Sequence, residues 1–355
     1  MCLSLLHRGL GELVRVDVNA LALRPQGAGV STYIREMLAR LPPDFTIHAM
    51  VQRDAVPSLP LRCEPRVFPI ASGTRRALTS AVYSPRTDIY HGMDVDIPIV
   101  HRAAVVTTIH DLAVYDVPWA FGRQRATAER QLLRHAIHRS DVVTTVSDFT
   151  AERVSALFGR DAIVTPLAPS GDLHVASPED VAGARTKYAL PERFVLYLGT
   201  VEPRKDVARL ADACALEGLP LVVAGASMGS TTQFLSGRTL RLGFVERSDL
   251  PGLFSAATAV AYTSLYEGFG LPPVEALACG ATVVSTRVAS LPSLLGEAVV
   301  WCTPGDLESI RSALRSVAND PDHRRSVRAA APEALQRLSW DRGAAILSEV
   351  YRGLA

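Results

Sequence analysis

Short apolar runs rich in β-branched residues alternate with helical segments along most of the chain. Strands that are apolar throughout and separated by helices are typical of a parallel sheet with helices on both faces. The alternation predicts an α/β fold of doubly wound, Rossmann-like parallel sheets, in which ligands bind at the carboxyl ends of the strands. In the first half we predict strands over Val14–Asn19, Thr46–Val51, Asp88–His91, Ala104–His110 and Asp141–Ser147, with helices over Ser31–Arg40, Arg75–Tyr83, Trp119–His138 and Asp148–Phe158.

The chain has 355 residues, more than one hydrophobic core usually serves, so two domains are expected. The segment Thr165–Pro191 contains four prolines, two glycines and no sustained period, which is typical of a linker. We predict a first domain over residues 1–170, a linker over 171–190, a second domain over 191–338 and a C-terminal helix over 339–355. Strands of the second domain are predicted over Phe194–Leu198, Leu221–Gly225, Thr239–Phe244, Ala259–Thr263, Thr282–Ser285 and Ala298–Trp301.

The composition narrows the function classes. A net charge of +1 with 21% charged residues argues against bulk nucleic-acid binding and against disorder. The five cysteines are odd in number and lack CxxC spacing, so neither a disulfide framework nor a zinc site is expected. No window approaches 18 uncharged apolar residues, and the N-terminus lacks a cleavage pattern. We therefore expect a cytoplasmic protein.

The segment Ser264–Gly280 reads as a glycine loop and a short helix after a buried strand. Pro272 or Pro273 suits the first turn of the helix, and Gly280 suits its C-terminal stop. A helix start offers unpaired backbone N–H groups and a partial positive charge, and the loop glycines let a phosphate approach the main chain. Glu275, which we place in the first turn, suits sugar hydroxyls better than phosphate. The segment predicts a ligand that carries both phosphate and polyol groups.

Glu267 and Glu275, with GFGLPPV between them, resemble the Glu-x7-Glu signature of retaining GT-B-fold glycosyltransferases of the family-4 (group 1) type. The resemblance implies two Rossmann-like domains that face a cleft, the first on the acceptor side and the second binding a GDP- or UDP-sugar. It also implies that a hexose of the mannose or glucose type moves to a glycan, lipid-linked or small-molecule acceptor, without a cofactor. The helix over 339–355 would then pack back on the first domain.

Further motifs carry the same resemblance. AGVSTY resembles the family's N-terminal glycine loop and implies phosphate contact at Gly29, with Ser31 as a helix cap. His110 in TTIHDL matches the family's HD motif beside the donor sugar, and His91 in YHG resembles a position near the acceptor. GFVERSDL resembles a segment whose main chain meets the nucleobase, which implies Phe244 and Val245.

Arg204 and Lys205 match the family's diphosphate-binding pair, and Lys205 is one of only two lysines. Because bond cleavage develops negative charge on the diphosphate, these cations and the amides of 268–270 would stabilise the leaving group. Glu267 would orient the sugar hydroxyls. The predicted catalytic residues are His110, Glu267, Arg204 and Lys205, and the predicted donor-binding residues are Gly29, Arg204, Lys205, Phe244, Val245, Gly268, Phe269, Gly270, Leu271 and Glu275, the last of which would hold the ribose.

Several alternatives stay open at this point. A GT-B nucleotide-sugar epimerase or a catalytically silent GT-B partner subunit fits the same fold, whereas a phosphorylase would need a pyridoxal-phosphate lysine, for which Lys187 in the linker is a poor site. No strand is followed by GxGxxG, which disfavours a dinucleotide dehydrogenase. Asp94 and Asp96 form a DxD pattern, but they lie outside the phosphate-gathering domain, so no metal site is expected. The basic segment Trp119–Arg139 is either a solvated helix or a peripheral membrane contact at the inner face.

Overall fold

The computed structural model describes residues 13–27, 29–225 and 239–355. Within these ranges strands and helices alternate along the chain. The strands are β1 (Val14–Asn19), β2 (Phe45–Gln52), β3 (Glu64–Phe68), β4 (Ile89–Gly92), β5 (Ala104–Ile109), β6 (Val142–Thr145), β7 (Ile163–Val164), β8 (Val195–Leu198), β9 (Leu221–Ala224), β10 (Thr239–Gly243), β11 (Ala259–Tyr262), β12 (Val283–Thr286) and β13 (Val299–Cys302). The helices are α1 (Gly29–Arg40), α2 (Gly73–Val82), α3 (Ala113–Asp116), α4 (Arg123–Arg139), α5 (Asp148–Phe158), α6 (Pro178–Lys187), α7 (Val207–Leu216), α8 (Leu250–Ala256), α9 (Leu271–Ala278), α10 (Leu291–Leu295), α11 (Leu307–Asn319), α12 (Pro321–Ala329), α13 (Ala331–Gln336) and α14 (Trp340–Leu354).

The first sheet has the strand order β3-β2-β1-β4-β5-β6-β7. β1 pairs in parallel with β2 on one side and with β4 on the other. The chain order therefore reverses between β1 and β4, which makes the loops after these strands the topological switch point of the sheet.

The second sheet has the order β10-β9-β8-β11-β12-β13, and all of its neighbouring strands are parallel. Its switch point lies between β8 and β11. β9, β11 and β12 are buried along their whole length, because helices cover both faces of such a sheet. The predicted α/β class with two doubly wound parallel sheets is confirmed.

The chain divides into two compact units. The first contains residues up to Ile109 together with Leu132–Thr144 and Asp341–Ala355. The second contains His110–Gln131 and Thr145–Trp340. The domain boundaries that we drew from the sequence stay a prediction.

Three local expectations need correction. The linker is not irregular throughout, because α6 lies inside it and begins with a capping box in which Ser177 accepts from the Asp180 amide. Ser31 lies inside α1 rather than at its cap, and its Oγ accepts a hydrogen bond from the Arg24 amide. The sequence analysis also missed β3 and β7. β3 carries the proline and charged residues that an edge strand tolerates, which hid it from a search for apolar runs.

Candidate functional site

Two loops meet at the switch point of the second sheet, one after β8 and one after β11. The Leu265 amide donates to the carbonyl of Arg204 at 2.8 Å, and Thr263 Oγ1 donates to the carbonyl of Lys205 at 3.1 Å. Arg204 Nη1 in turn donates to the carbonyl of Tyr266 at 2.8 Å. These bonds fix the loop that carries both cations against the loop that carries Glu267.

Glu267 lies at the centre of an ion cluster. Its Oε1 is 2.5 Å from Lys205 Nζ and 2.7 Å from Ser264 Oγ, and its Oε2 is 3.4 Å from Arg204 Nη1. Burial alone would raise the pKa of Glu267, but the charges of Lys205 and Arg204 and the hydrogen bonds outweigh it, so the pKa lies below its usual value. Glu267 is therefore an ionised carboxylate held between two cations.

Arg204 has a second carboxylate partner. Its Nη2 is 2.7 Å from Glu202 Oε1, so the guanidinium is held from two sides. Burial lowers the pKa of Arg204, while Glu267, Asp111 and Glu202 together raise it above the ordinary value. The side chain is permanently charged and rigidly oriented, which suits recognition of a planar or phosphate oxyanion.

The residue after the cation pair has a left-handed backbone. Asp206 has φ 49° and ψ 36° and directly precedes α7. Glycine, asparagine and aspartate are the residues that adopt this conformation most readily. Asp206 can therefore make the left-handed turn behind Lys205 that leads into α7.

The glycine loop is fixed by hydroxyl groups that bind its carbonyls. Ser290 Oγ donates to the carbonyls of Glu267 and Phe269, at 3.1 and 2.9 Å, and Ser147 Oγ donates to the carbonyl of Gly268 at 2.5 Å. A planar trans peptide places each N–H opposite its C=O. The amides of Gly268, Phe269 and Gly270 therefore point away from these hydroxyls, as a main-chain anion site requires.

Gly268 packs directly on the backbone of His110. A Cβ at residue 268 would lie 1.9 Å from the carbonyl oxygen of His110 and 2.7 Å from Cβ of Asp111. Asp111 Oδ1 accepts from the Ala113 amide at 3.0 Å, which fixes the turn after His110. The structure thus brings His110, predicted from a separate motif, to the glycine loop.

The helix after the loop is α9, and its cap Gly270 has φ 91°. Glu275 is the fifth residue of α9, just past the first turn, so the expectation of a first-turn carboxylate is wrong. It is 6% exposed, and its Oε1 is 3.8 Å from Arg247 Nη2. Arg247 also binds both carboxylate oxygens of Asp172, at 2.6 and 2.9 Å. The predicted ribose-binding carboxylate thus lies beside an arginine that the sequence analysis did not select.

The other predicted donor-binding residues differ in exposure. Phe244 directly follows β10 and is 48% exposed, whereas Val245 is buried. The side chains of Phe269 and Leu271 are also buried. These three buried residues therefore offer a ligand their main chain rather than their side chains, while Phe244 offers an aromatic face.

The first unit has its own switch point, after β1 and β4. Gly29 is the first residue of α1, and a Cβ there would meet no atom within 4 Å. Ala28, before it, lies outside the described residues. His91 is fully buried, with Nδ1 2.6 Å from the Tyr351 hydroxyl and Nε2 2.8 Å from Thr108 Oγ1. Both ring nitrogens are engaged within the unit, so His91 joins β4 to α14 and is not the acceptor-facing group we expected.

The DxD acids bind an arginine. Arg76 Nε is 2.7 Å from Asp96 Oδ2, and its Nη2 is 3.1 Å from Asp94 Oδ2. Burial raises the pKa of Asp96 to about 6, against the opposing effect of Arg76. Among the described residues, no group of three or more His, Cys, Asp or Glu side chains is arranged to hold a metal ion. None of the described helices is long and apolar enough to cross a membrane.

Sequence reasoning missed the residues that hold the site in place. Most of these residues are distant along the chain from the groups they bind. Glu202, Arg247 and Ser264 carried a local signal, because they lie inside the EPRK, GFVER and SLYEG segments. The missed residues are Thr150, Asp172, Glu202, Arg247, Thr263, Ser264 and Ser290, whereas Ser147 lies at a strand end, where the sequence predicts ligand-binding groups.

Comparison with known proteins agrees with this geometry. Residues 184–334 match the family described as glycosyl transferases group 1. The chain is 32% identical over 273 residues to the O-antigen chain mannosyltransferase B of Escherichia coli, with 71% of each chain covered. It is 30% identical over 198 residues to the E. coli serotype-specific mannosyltransferase WbdA, a match that spans 50% of this chain and 24% of that longer protein.

Among solved structures, Anabaena HepE in complex with UDP-glucose superposes with a TM-score of 0.76 at 18% identity, covering 96% of this chain and 99% of that chain. This likeness confirms the predicted GT-B fold. The sequence match to mannosyltransferase B extends the relationship from the fold to the family. The chain therefore belongs to the group 1 glycosyltransferases.

Proposed function

We propose that the chain transfers a hexose of the mannose or glucose type from a GDP- or UDP-sugar to a glycan, lipid-linked or small-molecule acceptor, with retention and without a metal ion. The observation that carries the proposal is the ion cluster at the second switch point. There Arg204 and Lys205 flank Glu267, which begins the glycine loop. Cations, outward amides and an ionised carboxylate together match a sugar bound to a diphosphate.

The cations and the amides of 268–270 would bind the diphosphate oxygens and stabilise the charge that grows as the anomeric bond breaks. In the structure Glu267 is ion-paired with both Lys205 and Arg204. An incoming diphosphate would share these cations with Glu267, which would then turn to the sugar hydroxyls. Glu275 would hold the ribose, and Phe244 and Val245 would contact the base.

The electrostatics of Glu267 support direct, same-face substitution over double displacement. A carboxylate whose pKa is lowered by two nearby cations, and whose oxygens would accept hydrogen bonds from the sugar hydroxyls, is a weak nucleophile. The departing diphosphate, with its own negative oxygens, is then the group best placed to accept the acceptor's proton. His110, adjacent to the glycine loop, would contact the sugar.

The relatives support the choice of donor. The name of the E. coli relative, O-antigen chain mannosyltransferase B, supports mannose as the transferred sugar. The HepE complex holds UDP-glucose in the same fold, which supports a nucleotide sugar as donor. Metal independence is supported by Arg76, which is ion-paired with both DxD acids, and by the two cations of the ion cluster.

The test is a donor screen with the full chain. GDP-mannose, UDP-glucose and UDP-galactose are compared by thermal shift, and the best donor is then incubated with glycan and polyprenyl-linked acceptors. We expect release of nucleoside diphosphate that depends on acceptor, and an α-linked product by NMR. Conversion of the donor to an epimer without acceptor would establish the epimerase instead. Donor binding without turnover on any acceptor, unchanged by Lys205→Met, would establish the silent scaffold.

A further inference from the structure

Helix α2 in the first unit carries two polar residues, Arg76 and Ser80, on its inward side. Arg76 is bound to Asp94 and Asp96, and Ser80 is 1% exposed, with its Oγ accepting from Asn19 Nδ2 at 2.8 Å. A helix on the surface of a folded unit usually buries its apolar face and exposes its polar face. In α2 this order is reversed.

The outward face of α2 is apolar. Leu78 and Val82 are 62% and 77% exposed, and they are four residues apart, so they are neighbours on one side of the helix. Arg75 is exposed on the same side, three residues before Leu78. Neither apolar side chain contributes to the core, so folding of the unit does not explain their presence.

A neighbouring loop extends this apolar surface. The Ile99 amide donates to the carbonyl of Ala81 at 3.0 Å, which places the loop against the last turn of α2. Ile99 and Val100 are 55% and 77% exposed. Contiguous exposed apolar side chains on a folded protein usually mark an interaction surface.

The charge exposed on this surface is mainly positive, with acids only at its edge, where Asp88 and Asp141 lie near Arg102. Residues 72–87 and 97–102 contain four arginines and no aspartate or glutamate. Arg75, Arg86 and Arg102 are exposed. Arg86 precedes β4 and Arg102 precedes β5. The starts of these two strands are adjacent, because the Ala104 amide donates to the carbonyl of Asp88 at 3.0 Å. We call the surface formed by Leu78, Val82, Ile99, Val100, Arg75, Arg86 and Arg102 the α2 face.

We propose that the α2 face binds the surface of an anionic lipid bilayer. Apolar side chains with a rim of arginines match an acyl boundary below negatively charged headgroups. A second copy of the chain would present the same mainly positive surface, and the like charges would disfavour a symmetric dimer through this face. The proposal does not depend on the transferase reaction.

In the segment Trp119–Arg139, where the sequence suggested membrane contact, Trp119 is 62% exposed, but it lies four residues before α4 and has no exposed apolar neighbour along that helix. Every residue of α4 is described, and no large apolar side chain along it is exposed. Arg130 is also engaged, with Nε donating to the carbonyl of Val114 at 3.0 Å. Positive charge without an apolar face gives only weak, salt-sensitive attraction to a membrane.

Flotation of the full chain with vesicles tests the proposal. Vesicles of three parts phosphatidylcholine to one part phosphatidylglycerol are compared with pure phosphatidylcholine. We expect binding to the anionic vesicles only, reduced at high salt. Leu78→Ser with Val82→Ser should lower the partition coefficient at least about tenfold. Arg75→Gln and Arg102→Gln should each lower it roughly fivefold.

Two control variants distinguish binding through the α2 face from nonspecific binding to vesicles. Leu216→Ser removes a side chain of similar exposure, 59%, from α7 of the second unit, and Arg123→Gln removes an arginine from α4. Both should bind vesicles like the wild type. Failure of the wild type to float, or equal flotation of the Leu78/Val82 variant, would overturn the proposal. So would a wild-type dimer that the same variant dissociates while vesicles stay unbound, because the α2 face would then be a protein interface.

Discussion

Replacement of Lys205 by methionine tests the ion cluster most directly. The Nζ atom is 2.5 Å from Glu267, and the two side chains are 15% and 9% exposed. Removing one partner of a buried pair costs about 3–5 kcal/mol. Arg204 remains 3.4 Å from Glu267, so we expect a smaller loss, about 1.5–3 kcal/mol. For a unit of this size that lowers Tm by about 3–12 °C.

The loss should depend on pH in a defined direction. Because the folded-state pKa of Glu267 lies below its unfolded value, its contribution is present above the unfolded pKa, near 4.5, and is lost as pH falls through the folded pKa. Without Lys205, burial raises the pKa of Glu267, so the variant takes up a proton earlier on acidification. The Tm difference between wild type and variant should therefore be widest near neutral pH and narrow as pH falls.

The chain supplies a matched control in its other lysine. Lys187 Nζ is 2.6 Å from Asp249 Oδ2, but its side chain is 53% exposed, and exposed pairs contribute little. Lys187→Met should leave Tm and turnover unchanged, whereas Lys205→Met should lower turnover at least about tenfold. The double variant Lys205→Met, Glu267→Gln should lose less stability than the two single losses summed. Equal Tm losses at both lysines, a loss independent of pH, or wild-type turnover in Lys205→Met would refute this account.

Three further outcomes are expected. By calorimetry, Glu275→Gln should weaken binding of the bare nucleoside diphosphate as well as the sugar nucleotide, whereas Glu267→Gln should spare the nucleoside diphosphate and lower kcat; the opposite pattern would reverse the two assignments. Gly268→Ala should lower Tm and abolish turnover, because the added Cβ would lie 1.9 Å from the carbonyl oxygen of His110. At Gly29 an added Cβ would meet no atom within 4 Å, so Gly29→Ala should keep the wild-type Tm. A loss of activity in Gly29→Ala would then show that a ligand contacts this backbone. EDTA should leave transfer intact, and activity that is lost in EDTA, restored by manganese and abolished by Asp94→Asn would contradict a metal-independent mechanism.

Local sequence signals predicted much of the fold. Apolar runs gave eleven of the described strands to within about two residues, since a parallel strand buried on both faces must be apolar along its length. The same signals put Arg204, Lys205 and Glu267 after strands that turned out to be neighbours. Parallel strands end at the same edge of a sheet, so a motif after a strand already indicates where its side chains gather.

The sequence determined the chemistry at the second switch point, since the cations, carboxylates and loop glycines lie in compact motifs that each follow one strand. Only the tertiary structure decided which groups hold them. Ser147 donates a hydrogen bond to the carbonyl of Gly268, 121 residues further along the chain, and the Tyr351 hydroxyl is hydrogen-bonded to His91, 260 residues before it. No local pattern encodes such partners, because a hydrogen bond between distant segments depends on the path of the chain between them. The exposed apolar face of α2 was likewise invisible, since helical periodicity gives the two faces of a helix but not which of them turns inward.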